Sequence, residues 1–127
     1  MSYYFAKTIA GPFDDAVLRV RDALKQAGFG VITEIDVTAT LKAKLGEDFR
    51  PYLILGACNP RMAHQALLME DKVGAMLPCN VVVQQKADGV EVAAIDPVAS
   101  MQAIDNPGLL HVAKAVAEQL KGVVQSL

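Results

Sequence analysis

The chain is short of the features that announce a chemistry. It has no Gly-rich phosphate loop, no Gly-x-Ser-x-Gly elbow and no His-x-x-x-His pair, which sets aside nucleotide-loop enzymes, elbow hydrolases and helix-borne zinc hydrolases. It has no internal repeat and no low-complexity segment. Basic excess is missing too: 12 Lys and Arg stand against 14 Asp and Glu, for a net charge of −2. A nucleic-acid surface leaves a basic footprint, and none is present. Arg19, Arg21, Lys25, Lys42, Lys44 and Arg50 are interleaved with acids and Lys86 is isolated, so no tract suits an anionic membrane.

Long hydrophobic runs are also lacking. Nothing approaches the roughly 18 apolar residues of a membrane span. The start, Met1-Ser2-Tyr3-Tyr4-Phe5, has no basic lead and no signal-like apolar stretch, so a cytoplasmic protein is expected. There are only two cysteines, Cys58 and Cys79. In a reducing compartment they read as free thiols rather than a disulfide. They lack the paired short spacings of a zinc site, and His64 and His111 are not placed to complete one. No metal and no cofactor are expected.

What is present is apolar. Of the 127 residues 53% are hydrophobic and 20% charged. That length fits one domain, taken here as residues 1–127, with a core that needs no staples. The apolar surplus either fills that core well or is hidden in a homodimer.

The order of elements follows from periodicity and breakers. Tyr3 to Ile9 reads as a strand, ended by Gly11-Pro12. A helix over Pro12–Ala27 carries Phe13, Val17, Val20, Leu24 and Ala27 on one stripe, and Gly28 closes it. Phe29 to Val37 is a second strand. Val31, Thr33, Ile35 and Val37 form its apolar face, opposite Ile32, Glu34 and Asp36, as in an antiparallel or edge-proximal strand. A short helix over Ala39–Leu45 is anchored by Leu41 and Leu45, and Gly46 stops it. Glu47 to Pro51 is a solvated loop with Phe49 embedded.

Tyr52 to Ala57 lacks alternation, so both of its faces are expected to be covered. Asn59-Pro60 is a strong helix start, and the helix runs to about Glu70. Asn80–Gln85 and Val90–Ile95 are strands joined through Ala87-Asp88-Gly89, whose Asp-Gly pair signals a hairpin. Asn106-Pro107 repeats the Asn-Pro device before a last helix to Gln125. Leu109, Val112, Val116, Leu120 and Val123 form its stripe, widened by Leu110, Ala113, Ala117 and Val124. The order β-α-β-(α)-β-α-β-β-α, with a hairpin among helix-linked strands, is an α+β fold.

Two Cys-Asn pairs carry the only candidate chemistry. Cys58-Asn59 lies where the third strand ends and Cys79-Asn80 where the fourth begins. If those strands were parallel, a strand of ~6 residues at ~3.3 Å each would hold the pairs roughly 20 Å apart. If they are antiparallel, both pairs and Asp96 share one sheet end. Cys58 precedes a helix start, whose unpaired N–H groups lower a thiol pKa and can hold an anion. Against this, cysteine in an apolar run is often a small buried hydrophobe. Asn59 has a use as a cap, and Asn80 can brace its loop.

The segments Gly28 to Val37, Leu41-Lys42 with Leu45-Gly46, Phe49-Arg50-Pro51-Tyr52, Leu55 to Pro60, Leu77 to Val83 and Ala94-Ile95-Asp96-Pro97 resemble the domain of unknown function 302 family over most of the chain. The resemblance implies an α+β domain with a mainly antiparallel, helix-backed sheet similar to the TATA-binding-protein-like class, pairing as a dimer, and no assigned reaction. It favours the antiparallel arrangement. Cys58, Asn59, Cys79, Asn80 and Asp96 are then expected to converge as a binding site, with Glu34, Asp36 and Arg50 at the opposite end. Two functions stay open: a homodimeric module that binds a small ligand or a protein, or a thiol-dependent redox or transfer activity. In the latter Cys58 is the nucleophile and Cys79 the resolving or supporting thiol.

Overall fold

Two hydrophobic rhythms build the molecule: period two along the strands and three-to-four along the helices. A computed structural model describes residues 2–127; Met1, where the leader reading begins, lies outside the described residues. The strands are β1 (Tyr4–Ile9), β2 (Gly30–Asp36), β3 (Tyr52–Cys58), β4 (Cys79–Lys86) and β5 (Gly89–Ile95). The helices are α1 (Phe13–Gln26), α2 (Val37–Leu45), α3 (Pro60–Met69), α4 (Pro97–Ser100) and α5 (Pro107–Gln125). A 3-10 turn over Asp71–Met76 links α3 to β4. The sheet runs β1-β5-β4-β3-β2, and every neighbouring pair is antiparallel. This is the expected α+β class.

One face of the sheet is covered by helices and the other is open. Residues directly opposite one another in a ladder share a face. Leu53, Leu55 and Ala57 therefore line up with Val83, Val81 and Cys79, and Val83 and Val81 in turn with Val92 and Ala94. All are buried. Against them pack Val20 and Leu24 of α1 and Leu109, Val112, Val116, Leu120 and Val123 of α5. Fully burying a side chain such as Leu24 or Leu120 stabilises the fold by roughly 1.5–3 kcal/mol.

Helix ends are specified locally. α1 closes in a Schellman arrangement. The Phe29 amide donates to the Leu24 carbonyl at 2.9 Å, the Gly28 amide donates to Lys25 at 3.1 Å, and Gly28 has φ +90°. Phe29 and Leu24 are both buried, so the turn is locked from inside. Asn59 and Asn106 cap α3 and α5 by accepting from the amides of Met62 and Leu109. Asn106 also donates to the Met69 carbonyl at 3.1 Å, fastening the end of α3 to the start of α5.

Several expectations are corrected. β2 is an edge strand, but a bulge at Ile32 changes its phase: Val31 pairs with Ala57 and Thr33 with Gly56. Val31 and Thr33 thus lie on opposite faces, and the apolar stripe read through them does not exist. β3 is not covered on both sides. Leu53 and Leu55 are buried beneath helices, while Tyr52 and Ile54 on the open face are only half-buried. α2 starts at Val37 and buries no residue; Leu45 is exposed and anchors nothing. What holds α2 is polar. Asp36 accepts from the Ala39 amide at 2.9 Å, and Thr38 bridges the Arg50 carbonyl and the Tyr52 amide. The β4–β5 hairpin turns on Ala87-Asp88, with Gly89 at φ +143° already in β5. Leu110 is exposed and does not widen the stripe of α5.

Candidate functional site

The antiparallel β3–β4 ladder decides where the cysteines lie. Cys79 pairs with Ala57, one residue from Cys58, so both thiols sit at one end of the sheet. Both line a cavity of about 300 Å³ bounded by that sheet end, α3, α4 and α5. Its wall is hydrocarbon and thioether: Phe29, Met62, Ala66, Met101, Leu109 and Val116 are representative. It reaches the surface beside Ile32 and Leu67, which line it and are 62% and 44% exposed.

Three of the five expected site residues meet here, and two do not. Cys58, Asn59 and Cys79 line the cavity. Asn80 is opposite Gly56, and alternation along β4 turns it to the open face, away from Cys79. It borders a separate depression there. Asp96 stands at the right sheet end but caps α4, accepting from the Val98 amide at 2.9 Å; its neighbour Pro97 is the residue that reaches the cavity.

Asn59 brings little free polarity. Its oxygen accepts from Met62 at 3.4 Å, and its amide nitrogen donates to Gln119 Oε1 at 3.3 Å, tying α3 to α5. Cys79 is buried, and its pKa is raised from the ordinary 9.0 to about 11, first by burial and second by the neighbouring Cys58. At neutral pH it is an uncharged thiol. The cavity therefore offers dispersion contact and soft sulfur, and no charge.

The residues expected at the opposite end go to separate partners. Glu34 pairs with Arg21 at 3.0 Å, Asp36 caps α2, and Arg50 donates through Nε to Gln84 at 3.0 Å. His64 and His111 are exposed. Among the described residues no three His, Cys, Asp or Glu side chains gather as metal ligands, and no helix is long and apolar enough to cross a membrane. Ile32, Met101 and Gln119 were invisible as site residues in the sequence. Ile32 comes to the mouth at a bulge, and the other two arrive from distant elements.

Fold and site together define a one-sheet α+β domain with an apolar chamber between its sheet end and its helices. The chain belongs to the family described as domain of unknown function DUF302, whose model matches residues 5–127. Its structure is similar to the crystal structure of an uncharacterised conserved DUF302 protein from Bacillus stearothermophilus. The TM-score is 0.91 at 28% identity, over 98% of each chain. No match was found among curated proteins.

Proposed function

We propose that this domain binds a small, uncharged, apolar molecule in the cavity beside Cys58 and Cys79. The observation that carries the reading is the lining: the groups facing the space are hydrocarbon, thioether or thiol, with no acidic or basic side chain among them, and the nearest amide, Asn59, is already hydrogen-bonded at both ends. A ligand bearing a charge would lose its hydration there without compensation. The volume of about 300 Å³ is roughly twice that of an engineered apolar cavity that takes benzene. Apolar pockets of this size are where small ligands bind.

A second copy of the chain belongs to the same reading. α3, which forms one wall of the cavity, exposes Leu67, Leu68 and Met69, with Leu68 76% accessible. This apolar run beside the mouth supports a homodimer that covers it; light scattering tests this directly, and a strict monomer at high concentration removes the dimer from the proposal.

The thiol-dependent reading is the weaker one. Cys79 is held protonated, so Cys58 must act without a ready thiolate beside it. The ligand reading is tested by titrating the protein with toluene and, separately, under xenon pressure, while following backbone amide shifts. Movements confined to Ala57, Ala66, Ala113 and Val116 are expected. Unchanged shifts at saturating toluene and under xenon sink the proposal.

A further inference from the structure

The open face of the sheet carries a second polar constellation that the cavity does not use. Arg50 lies in the loop before β3. Its guanidinium carbon stands 4.4 Å from the ring centre of Phe49 and 5.8 Å from that of Tyr52. Those two rings meet edge to face at 6.0 Å. Arg50 Nε donates to Gln84 Oε1 at 3.0 Å, and Gln84 Nε2 donates to Glu91 Oε1 at 3.0 Å. The register makes this a row across the sheet, since Tyr52 pairs with Gln84 and Gln84 with Glu91. Two rings and one hydrogen bond therefore fix an arginine that is otherwise free to swing. Its two terminal nitrogens have no acceptor among the described residues.

Beside this row lies a depression of about 390 Å³. Val82, Ala93 and Ile95 give it an apolar floor, Tyr3, Tyr4 and Tyr52 stand around it, and Lys86 lies on the same strand as Gln84. Among the described residues Lys86 is in no ion pair, and the one acid lining the depression, Glu91, already accepts from Gln84. Lys86 lines the depression, and Arg50 stands at its edge through the bond to Gln84, which lines it too. A planar guanidinium with both terminal nitrogens free matches a carboxylate in two-point geometry, and aromatic stacking strengthens its hold on that orientation.

We infer that the open sheet face is a binding site for a small organic carboxylate with a flat apolar body. The acid lies on Arg50 and the body rests on Val82, Ala93 and Ile95 among the tyrosines. This site is on the opposite side of the sheet from the cavity, so it stands or falls separately.

The test is an amide-shift titration of the full chain with 2-naphthoate, and in parallel with 2-naphthylmethanol. Naphthoate is expected to move Tyr52, Val82, Gln84 and Ala93 saturably. Arg50→Lys keeps the charge but loses the fork, and weakens binding by about tenfold. Gln84→Met removes the acceptor that fixes Arg50 and weakens binding severalfold, with the far-ultraviolet spectrum unchanged. The uncharged alcohol leaves these amides still and moves only residues of the cavity. Equal binding of acid and alcohol at the open face overturns the inference, as does an Arg50→Lys variant that binds as the parent does. Absence of any open-face shift also overturns it, including absence because a second copy covers the face.

Discussion

Cys79 lies directly across the β3–β4 ladder from Ala57, one residue short of Cys58, and the two cysteines line one cavity. Cys58 is half-buried and Cys79 buried. Alkylation should separate them. With a pKa of about 11, Cys79 is thiolate in only about one molecule in a thousand at pH 8. Mass spectrometry after iodoacetamide at pH 8 should find Cys58 modified first, and Cys79 modified only in denaturant. Equal labelling of both in the folded protein contradicts the burial on which the neutral cavity rests.

The same thiol makes stability depend on alkaline pH. Folding raises the Cys79 pKa from 9.0 to about 11, so the folded state holds the proton more tightly than the unfolded one. The resulting contribution is complete below pH 9 and is lost as pH rises through 11. By pH 11 the loss amounts to about 2 kcal/mol. Other groups also titrate there, so the comparison is with Cys79→Ala. The parent's unfolding free energy relative to that variant should shrink by about that amount between pH 8 and 11. Parallel curves for the two proteins contradict the assignment.

Gly56 is required by packing rather than by backbone conformation. A Cβ there would stand 2.0 Å from Thr33 Oγ1 and 2.7 Å from Pro78 Cγ. Thr33 occupies that place because the Ile32 bulge turns it onto the open face above Gly56. Gly56→Ala should destabilise by about 1–3 kcal/mol in urea denaturation, the usual cost of overpacking. Adding Thr33→Gly should recover part of the loss, leaving the Pro78 clash. A neutral Gly56→Ala variant would mean that Thr33 and Pro78 yield without cost.

Legibility in the sequence stops where a feature depends on more than one segment. The strands, the two Asn-Pro helix starts and the stripe of α5 were readable because each depends on spacing within one segment. The α+β class followed from their order. The sharing of one sheet end by Cys58 and Cys79 needed only strand direction. What was not readable depends on phase or on distant partners. A bulge at Ile32 reverses the rest of β2, and nothing in Val31-Ile32-Thr33 marks it. Asn80 follows Cys79 in sequence yet faces the other side of the sheet, because adjacent strand residues must. Leu41 and Leu45 have helical spacing, but Thr38 and Asp36, not apolar contact, fix α2. The sequence shows Arg50 only as part of a solvated loop, since its partner Gln84 comes from another strand.

Asn59 has two structural tasks that substitutions can separate. Its oxygen caps α3 and its nitrogen holds Gln119 on α5. Asn59→Ala removes both, and should cost about 1 kcal/mol for the cap and further stability for the lost bridge between the helices that wall the cavity. Gln119→Leu leaves Asn59 and its cap in place and removes only the bridge. The leucine variant should therefore retain most of its stability and still loosen α3 against α5. Hydrogen exchange reads the difference. In Gln119→Leu, amides at the start of α3 should stay protected, while toluene binding in the cavity weakens because its α3–α5 walls are no longer held together. If Gln119→Leu binds toluene as the parent does, the bridge from Asn59 has no part in shaping the site.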